Sequence, residues 1–151
     1  MSLDGRLPYD EGLHIGHRGY ERAGVEPRYW LGHGLGYTTW DYLSANVALT
    51  DSGGARVLVR VRNTGARTGR EVVQVYLSRP DSTLDRPARW LAGFGAATAA
   101  PGGDADVSID IPERAFAHWY ERGWTVEPGV FRLLVGRSAA DTVLTVRVHR
   151  P

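Results

Sequence analysis

Residues 104–111 read Asp-Ala-Asp-Val-Ser-Ile-Asp-Ile, and this stretch shows which kind of fold the sequence encodes. Ala105, Val107, Ile109 and Ile111 alternate with polar residues, so every second side chain is apolar. Successive side chains of a β-strand point to opposite faces of its sheet. The stretch therefore predicts a strand with one face in a core and the other in solvent.

The same two-residue period recurs along the chain, with turn-forming residues between the runs. The other runs lie at residues 45–50, 56–62, 73–77, 90–94, 131–135 and 144–148. A single helical turn is predicted at Pro112–Phe116, since Pro can occupy the first helical position. Together the runs predict a mainly β fold: an immunoglobulin-like or fibronectin type III antiparallel sandwich of about seven strands, with an extended N-terminal segment.

The composition excludes several classes of function. The 151 residues carry 18 cationic and 17 anionic side chains, a net charge of +1. This balance provides no basic surface for nucleic acid and no electrostatic anchor for a membrane, so we expect neither partner. The absence of Cys removes disulfides, thiolate metal ligands and a thiol nucleophile. No apolar run reaches the ~20 residues of a membrane span, and any export signal is expected upstream of residue 1.

The first 40 residues do not follow the strand rhythm, although they are rich in aromatic side chains. These are Tyr9, Tyr20, Tyr29, Trp30, Tyr37 and Trp40. The stretch Trp30–Trp40 is too rich in glycine for a helix and too aromatic for a disordered linker, so it predicts a packed connector. Two interpretations remain open. The segment either wraps the outside of the sandwich or belongs to a neighbouring domain of a longer protein.

A metal site is one hypothesis for the N-terminal segment. Glu11, His14 and His17 are spaced by three residues, and ligands at helical spacing can share a face. Glycines interrupt the segment, however, and in a strand His14 and His17 would point to opposite faces. We therefore expect a turn and a short strand that dock on another domain, with no metal and no cofactor.

No motif in the chain indicates catalysis. A glycosidase needs two carboxylates flanking a cleft, whereas the loop carboxylates here are expected to be solvated or to stabilise turns, with ordinary pKa values. These are Asp81, Asp85, Glu113, Glu121 and Glu127. The glycine-rich stretch 32–36 lacks the strand, helix and serine of a nucleophile loop. We expect no catalytic residue.

Three tryptophans are candidate sugar contacts, because an indole face suits the apolar face of a pyranose ring. Trp119 and Trp124 flank a predicted hairpin turn at residues 120–123, and Trp90 begins a predicted strand. The alternative is that each packs in the core or in a domain interface, as tryptophans in small sandwiches commonly do.

In their order, the motifs resemble the C-terminal part of glycoside hydrolase family 3, a family of β-glucosidases and β-xylosidases. Residues 9–20 resemble the end of the family's α/β sandwich domain, and residues 31–38 (Leu-Gly-His-Gly-Leu-Gly-Tyr-Thr) resemble its connector. The family's fibronectin type III-like domain is matched at residues 61–65, 69–76, 86–87, 91–94, 101–102, 126–131 and 134–136. The departures are Gly36 for the usual Ser, Gly19 within an aromatic pair, and Trp90 at a commonly acidic position, which is expected to create an exposed aromatic.

The resemblance implies a tail and linker of the preceding α/β domain at residues 1–40 and a fibronectin type III-like domain at residues 41–151. Family members take their catalytic residues from upstream domains and retain configuration through a covalent glycosyl-enzyme. The chain alone is expected to be inactive and to brace the N-terminal catalytic domains of its parent. The alternatives are a module that binds β-glucan or oligosaccharide, or a dimerisation interface of the parent.

Overall fold

The structure is a computed structural model that describes residue 10 and residues 12–151. Predictions that rest on residues 1–9 or on Glu11 lie outside the described residues. They include the start of the 1–40 segment and one of the three candidate metal ligands. No helix within the described ranges is long and apolar enough to cross a membrane.

The secondary structure consists of one short helix followed by nine strands in the described chain. In order, the elements are α1 (His17–Ala23), β1 (Trp40–Leu49), β2 (Ala55–Asn63), β3 (Gly69–Ser78), β4 (Trp90–Ala99), β5 (Asp104–Ile111), a 3-10 turn (Glu113–Ala115), β6 (Ala117–Tyr120), β7 (Gly123–Val126), β8 (Gly129–Gly136) and β9 (Thr142–Arg150). Each of the seven predicted strands is present, and the predicted helical turn after Pro112 is the 3-10 turn.

Two antiparallel sheets form the predicted sandwich. One sheet has the order β1-β2-β5 and the other the order β4-β3-β8-β9, which together account for seven strands. The predicted turn at residues 120–123 joins β6 to β7 in a separate two-stranded hairpin. The mainly β sandwich is confirmed, and the hairpin brings the total in the described part to nine strands.

The core lies between the two sheets and is filled by the apolar faces that the two-residue period predicts. Its members include Val57, Val59 and Val61 of β2, Val73, Val75 and Leu77 of β3, and Val107, Ile109 and Ile111 of β5. Phe116, next to the 3-10 turn, packs edge-on against Phe131 of β8, with ring centroids 5.2 Å apart. Burial of these side chains supplies the main stabilisation of the fold, about 25 cal/mol per Å² of apolar surface.

The outer face of the three-stranded sheet is a ladder of ion pairs. Arginines of β2 lie directly opposite aspartates of β5: Arg56–Asp110 at 2.7 Å, Arg60–Asp106 at 2.8 Å and Arg62–Asp104 at 2.6 Å. The polar side of residues 104–111 therefore faces solvent, as predicted. Since each of these six charges has a partner of opposite sign, the ladder itself offers no strong field to a charged ligand.

The expectation of a turn and short strand near His17 is wrong, because His17–Ala23 is helical. Two of the glycines lie outside the helix. Gly16 precedes it, and Gly24 ends it in the left-handed conformation that favours glycine, with φ 65°. Gly19 lies within the helix, where a Cβ atom would stand 2.5 Å from the carbonyl oxygen of His14. These glycines permit a close turn at each end of the helix.

Candidate functional site

The connector, Trp30–Trp40, lies in part on the outer face of the four-stranded sheet. Gln74 and Tyr76 alternate with core residues of β3 and so point outward, yet both are buried. Gln74 Nε2 donates to the carbonyl oxygen of Gly32 at 3.0 Å. The Tyr76 hydroxyl lies 3.1 Å from the carbonyl oxygen of Leu31. The described connector therefore docks on the sandwich at Leu31 and Gly32.

Several details hold this contact in one geometry. Ala139, in the loop after β8, donates its N–H to the carbonyl oxygen of Leu31 at 2.9 Å. A Cβ atom on Gly32, whose φ is +82°, would lie 1.9 Å from Gln74 Oε1, so only glycine fits there. Burial raises the pKa of Tyr76 to about 12, so its hydroxyl stays protonated even in alkaline solution up to that range.

Beyond this contact the connector presents apolar side chains to solvent. Leu35 is 94% exposed and Tyr37 is 93% exposed. Leu35 borders a groove of about 590 Å³ that is also lined by Val72, Leu91 and Phe94. We call Leu35, Tyr37, Val72, Leu91 and Phe94 the connector face. An exposed apolar face of this kind indicates a contact with other protein.

A partly buried polar cluster lies beside the connector face. The Tyr42 hydroxyl donates to Glu71 Oε1 at 2.9 Å, and the Arg137 guanidinium lies over the Tyr42 ring at 5.0 Å. Burial raises the pKa of Glu71 above its ordinary value, although the hydrogen bond from Tyr42 and the charge of Arg137 oppose this shift. Burial likewise raises the pKa of Tyr42. The cluster thus places an unfavourably buried carboxylate next to the proposed contact surface.

Helix α1 is attached to the loop between β3 and β4 by ion pairs. Glu21 Oε1 accepts from Arg89 Nε at 2.6 Å, and Arg89 also donates to the carbonyl oxygen of Ala139 at 2.5 Å. His14 Nε2 lies 3.1 Å from Asp85 Oδ1. The hydrogen bond with His14 is the largest influence holding the pKa of Asp85 below its ordinary value.

The candidate metal ligands are not brought together by the described residues. His14 turns its Nε2 to Asp85, and Glu11 lies outside the described part. Within residue 10 and residues 12–151, no three His, Asp or Glu side chains are placed to share a metal ion. The geometry assigns His14 to a structural contact.

Among the loop carboxylates, Asp85 and Glu127 depart from the expectation of an ordinary pKa, and Glu127 is the more buried of the two. Its side chain is 14% exposed, and it lies 3.2 Å from Arg79 Nε and 3.4 Å from Arg86 Nε. Burial acts to raise the pKa of Glu127. Hydrogen bonds from Ser82 and from the N–H of Thr83, with the two guanidinium groups, outweigh burial and leave the pKa below its ordinary value. Glu127 stabilises a turn, as the sequence analysis expects. Its pKa is shifted, however, whereas an ordinary pKa was expected.

The three candidate tryptophans line one groove of about 550 Å³, which we call the tryptophan groove. Trp119 and Trp124 are partners across the β6–β7 hairpin, 57% and 49% exposed, with centroids 5.4 Å apart and planes at 72°. Trp90 lies deeper: its Nε1 donates to the carbonyl oxygen of Ala115 at 2.8 Å, and its ring packs edge-on against Phe131. The expectation of an exposed aromatic at position 90 is wrong, because that side chain is partly buried against the core.

Sequence reasoning did not identify Gln74, Tyr76, Glu21 or Arg89 as contact residues. Gln74 and Tyr76 fall on the outward side of a strand, where the alternation predicts exposure, and their cover comes from residues more than 40 positions earlier. The signal that could have found them is the resemblance of residues 69–76 to the fibronectin type III-like domain of a known family.

Comparison with known proteins gives a consistent result. A family model described as a fibronectin type III-like domain matches residues 71–139. Thermostable beta-glucosidase B of Acetivibrio thermocellus is 39% identical, over 97% of this chain and 20% of its own length. An exo-alpha-(1->6)-L-arabinopyranosidase of Bifidobacterium longum is 37% identical, over 96% of this chain and 19% of its own length.

Solved structures show the same likeness. The crystal structure of DesR, a beta-glucosidase from Streptomyces venezuelae in complex with D-glucose, has a TM-score of 0.92 and 33% identity, with 97% of this chain and 19% of that chain covered. A GH3 beta-glucosidase from Bifidobacterium adolescentis has a TM-score of 0.85 and 35% identity, with 92% and 21% covered. The chain therefore spans about a fifth of the length of the larger proteins that it matches.

Proposed function

The chain carries the C-terminal fibronectin type III-like domain of glycoside hydrolase family 3 β-glucosidases, and from that premise we propose that it braces the catalytic domains of a longer enzyme. The relatives are larger enzymes in which the matched region shares one chain with the rest of the protein. The catalytic domains of the same chain are thus the partners of such a domain. The domain itself contributes no catalytic residue in this proposal.

The observation that carries the proposal is that one part of the connector is bound to the sandwich while the next part is exposed. At Leu31 and Gly32 it is fixed to the sandwich by hydrogen bonds, whereas Leu35 and Tyr37 are almost fully exposed a few residues later. A segment with one part anchored and the next part apolar and exposed fits a joint between two folded units. Covering the connector face would contribute about 25 cal/mol per Å² of apolar area removed from water.

This arrangement supports the proposed division of the chain. Residues 1–40 form the tail and linker of the preceding α/β domain, and residues 41–151 form the fibronectin type III-like domain. The described part of the tail is attached to the sandwich through Glu21 and Arg89. Motion of the preceding domain would therefore be transmitted to the sandwich by α1 as well as by the connector.

The longer enzyme is proposed to hydrolyse terminal β-linked sugars with retention, through a glycosyl-enzyme intermediate. Its nucleophile and its acid/base group would both come from outside this chain. The relatives include β-glucosidases and an arabinopyranosidase. The sugar at the active site is therefore set by residues of the other domains.

An activity assay tests the proposal. The 151-residue chain and the longer enzyme would be compared on aryl β-glucosides at equal molar concentration. We expect turnover by the longer enzyme and none by the chain above a heat-treated control. Turnover by the chain alone would contradict the accessory role.

A second candidate function is carbohydrate binding, and one observation favours it. The three tryptophans come from three different strands: Trp90 from β4, Trp119 from β6 and Trp124 from β7. All three line the tryptophan groove. A concave site with aromatic walls and a few polar groups is typical of small-ligand sites. Retention of the chain on insoluble β-glucan would support this function, and a chain found wholly in the supernatant would contradict it.

A further inference from the structure

We propose that the tryptophan groove binds one neutral pyranose unit of a β-glucan or oligosaccharide, with Trp119 as the stacking face. The inference rests on the second candidate function. It adds the class of ligand and the role of each tryptophan. In it, the three tryptophans have three different roles. Trp119 contacts the ring, Trp124 supports Trp119, and Trp90 forms the inner wall.

Trp119 is the more exposed tryptophan of the hairpin. The two indoles meet at 72° with centroids 5.4 Å apart, so an edge of one ring meets a face of the other. The Arg114 guanidinium lies 3.9 Å from the centroid of Trp124 and occupies a face of that ring. Among the described residues, no cation lies in this way over Trp119. A sugar ring that stacks on Trp119 would therefore not have to displace a guanidinium.

Trp90 cannot serve as a free platform. Its Nε1 is committed to the carbonyl oxygen of Ala115, and its ring packs against Phe131 in the core. The Arg86 guanidinium, which also lines the groove, lies 5.5 Å from its ring centroid. We therefore assign Trp90 to the inner wall of the groove and to the positioning of Arg86.

The polar lining of the groove supplies hydrogen-bonding groups held in fixed positions. The side chain of Arg86 is 9% exposed and is fixed by Glu127 at 3.4 Å and by His118 Nδ1 at 3.3 Å. His118 lines the same groove beside Trp119. Sugar hydroxyls both donate and accept, so a guanidinium and an imidazole beside an aromatic face complement a pyranose. Because both groups are already ordered, little conformational entropy is lost on binding.

Two of the three Arg and Asp side chains that line the groove are paired, and the third, Arg18, forms no ion pair among the described residues. Arg86 is paired with Glu127, and Asp85 is paired with His14 and with Arg22 at 3.7 Å. An anionic sugar would have to compete with Glu127 for Arg86, and a cationic ligand would have to compete with Arg22 for Asp85. A neutral sugar needs no such exchange and loses no ion pair.

The experiment is a titration of the full 151-residue chain with cellobiose and cellotetraose, followed by tryptophan fluorescence and by calorimetry. We expect saturable binding by the unchanged chain and at least a tenfold weaker association for Trp119→Ala. Trp119→Phe should retain part of the affinity, because the smaller ring still stacks. Phe94→Ala, which removes an exposed aromatic of the connector face, should bind as the unchanged chain does. Thermal unfolding of each variant checks that the fold is kept.

Each contrary outcome identifies what fails. No saturable binding by the unchanged chain overturns both the carbohydrate function and this inference. Binding that survives Trp119→Ala at full strength leaves the carbohydrate function standing and overturns the role of Trp119. Stronger binding of glucuronate-containing than of neutral oligosaccharides overturns the neutral ligand class. None of these outcomes affects the bracing role, which the activity assay tests separately.

Discussion

Gln74 of β3 donates a hydrogen bond to the carbonyl oxygen of Gly32 in the connector, across 42 positions of sequence and at 3.0 Å. The contact joins a buried side chain on the outer face of a sheet to a backbone that only glycine can bring so close. The hydrogen bond holds the connector backbone at Gly32 in a fixed position on the sheet.

Replacing Gly32 with Ala should destabilise the chain by about 2 kcal/mol or more, because φ is +82° and the new Cβ would overlap Gln74. Urea unfolding measures the change in free energy of unfolding. Gly34→Ala is the matched control: it lies two residues away with nothing within 4 Å of a new Cβ, so its effect should be near zero. Equal losses for both variants would show that the contact with Gln74 is unimportant.

Replacing Arg89 with Ala should release α1 from the sandwich, because Glu21 loses its partner at 2.6 Å. Hydrogen bonds to charged groups contribute about 1.5–3 kcal/mol, and here the loss should be local. Amide hydrogen exchange in residues 17–23 should become faster, with β2 and β3 unchanged. Arg22→Ala, on the same helix and in a long, exposed pair with Asp85, should leave exchange unaltered. Unchanged exchange in Arg89→Ala would contradict the attachment.

Glu127 should stabilise the fold only above the acid range. Its pKa in the folded chain is lower than its ordinary value of about 4.3. The stabilisation is therefore present above the unfolded pKa and is lost as pH falls through the folded pKa. Glu127→Gln should flatten the fall in unfolding free energy between about pH 5 and pH 3. The exposed Glu121→Gln is the control, and a variant profile parallel to that of the unchanged chain would count against the prediction.

The effect of pH on the stabilising contribution of Glu71 should be opposite to that for Glu127. Burial raises its pKa in the folded chain, so its stabilising contribution is complete below the unfolded pKa and is lost as pH rises through the folded pKa. Glu71→Gln should therefore make the chain more stable at pH 7 and have little effect at acid pH, with the hydrogen bond from Tyr42 kept. Thermal unfolding at both pH values measures this. A lower melting temperature of the variant at pH 7 would contradict it.

The strands were predictable because their signal is local. In residues 104–111 each apolar side chain lies two positions from the next, and burial on one face follows directly from that period. Helix α1 was not predictable from the same rules, since the glycines around His17 lower helix propensity while their actual role is to shape its ends. The tryptophan groove combines residues from the hairpin, a loop and β4, which no local pattern brings together.

The burial of Gln74 and Tyr76 illustrates a second limit. Alternation assigns them to the outer face, and that assignment is correct. The alternation carries no information about what covers the outer face, because the cover is supplied by the connector. Their exposure could be judged only once Leu31 and Gly32 had been placed on the sheet.

The central claim is that the connector face lies against the catalytic domains of a longer enzyme. The most direct measurement is amide hydrogen exchange over residues 33–38 and 91–95, compared between the 151-residue chain and the longer enzyme. We expect marked protection of both segments in the longer enzyme, with residues 104–111 unchanged as an internal reference. Equal exchange of the connector face in the two proteins would contradict the claim.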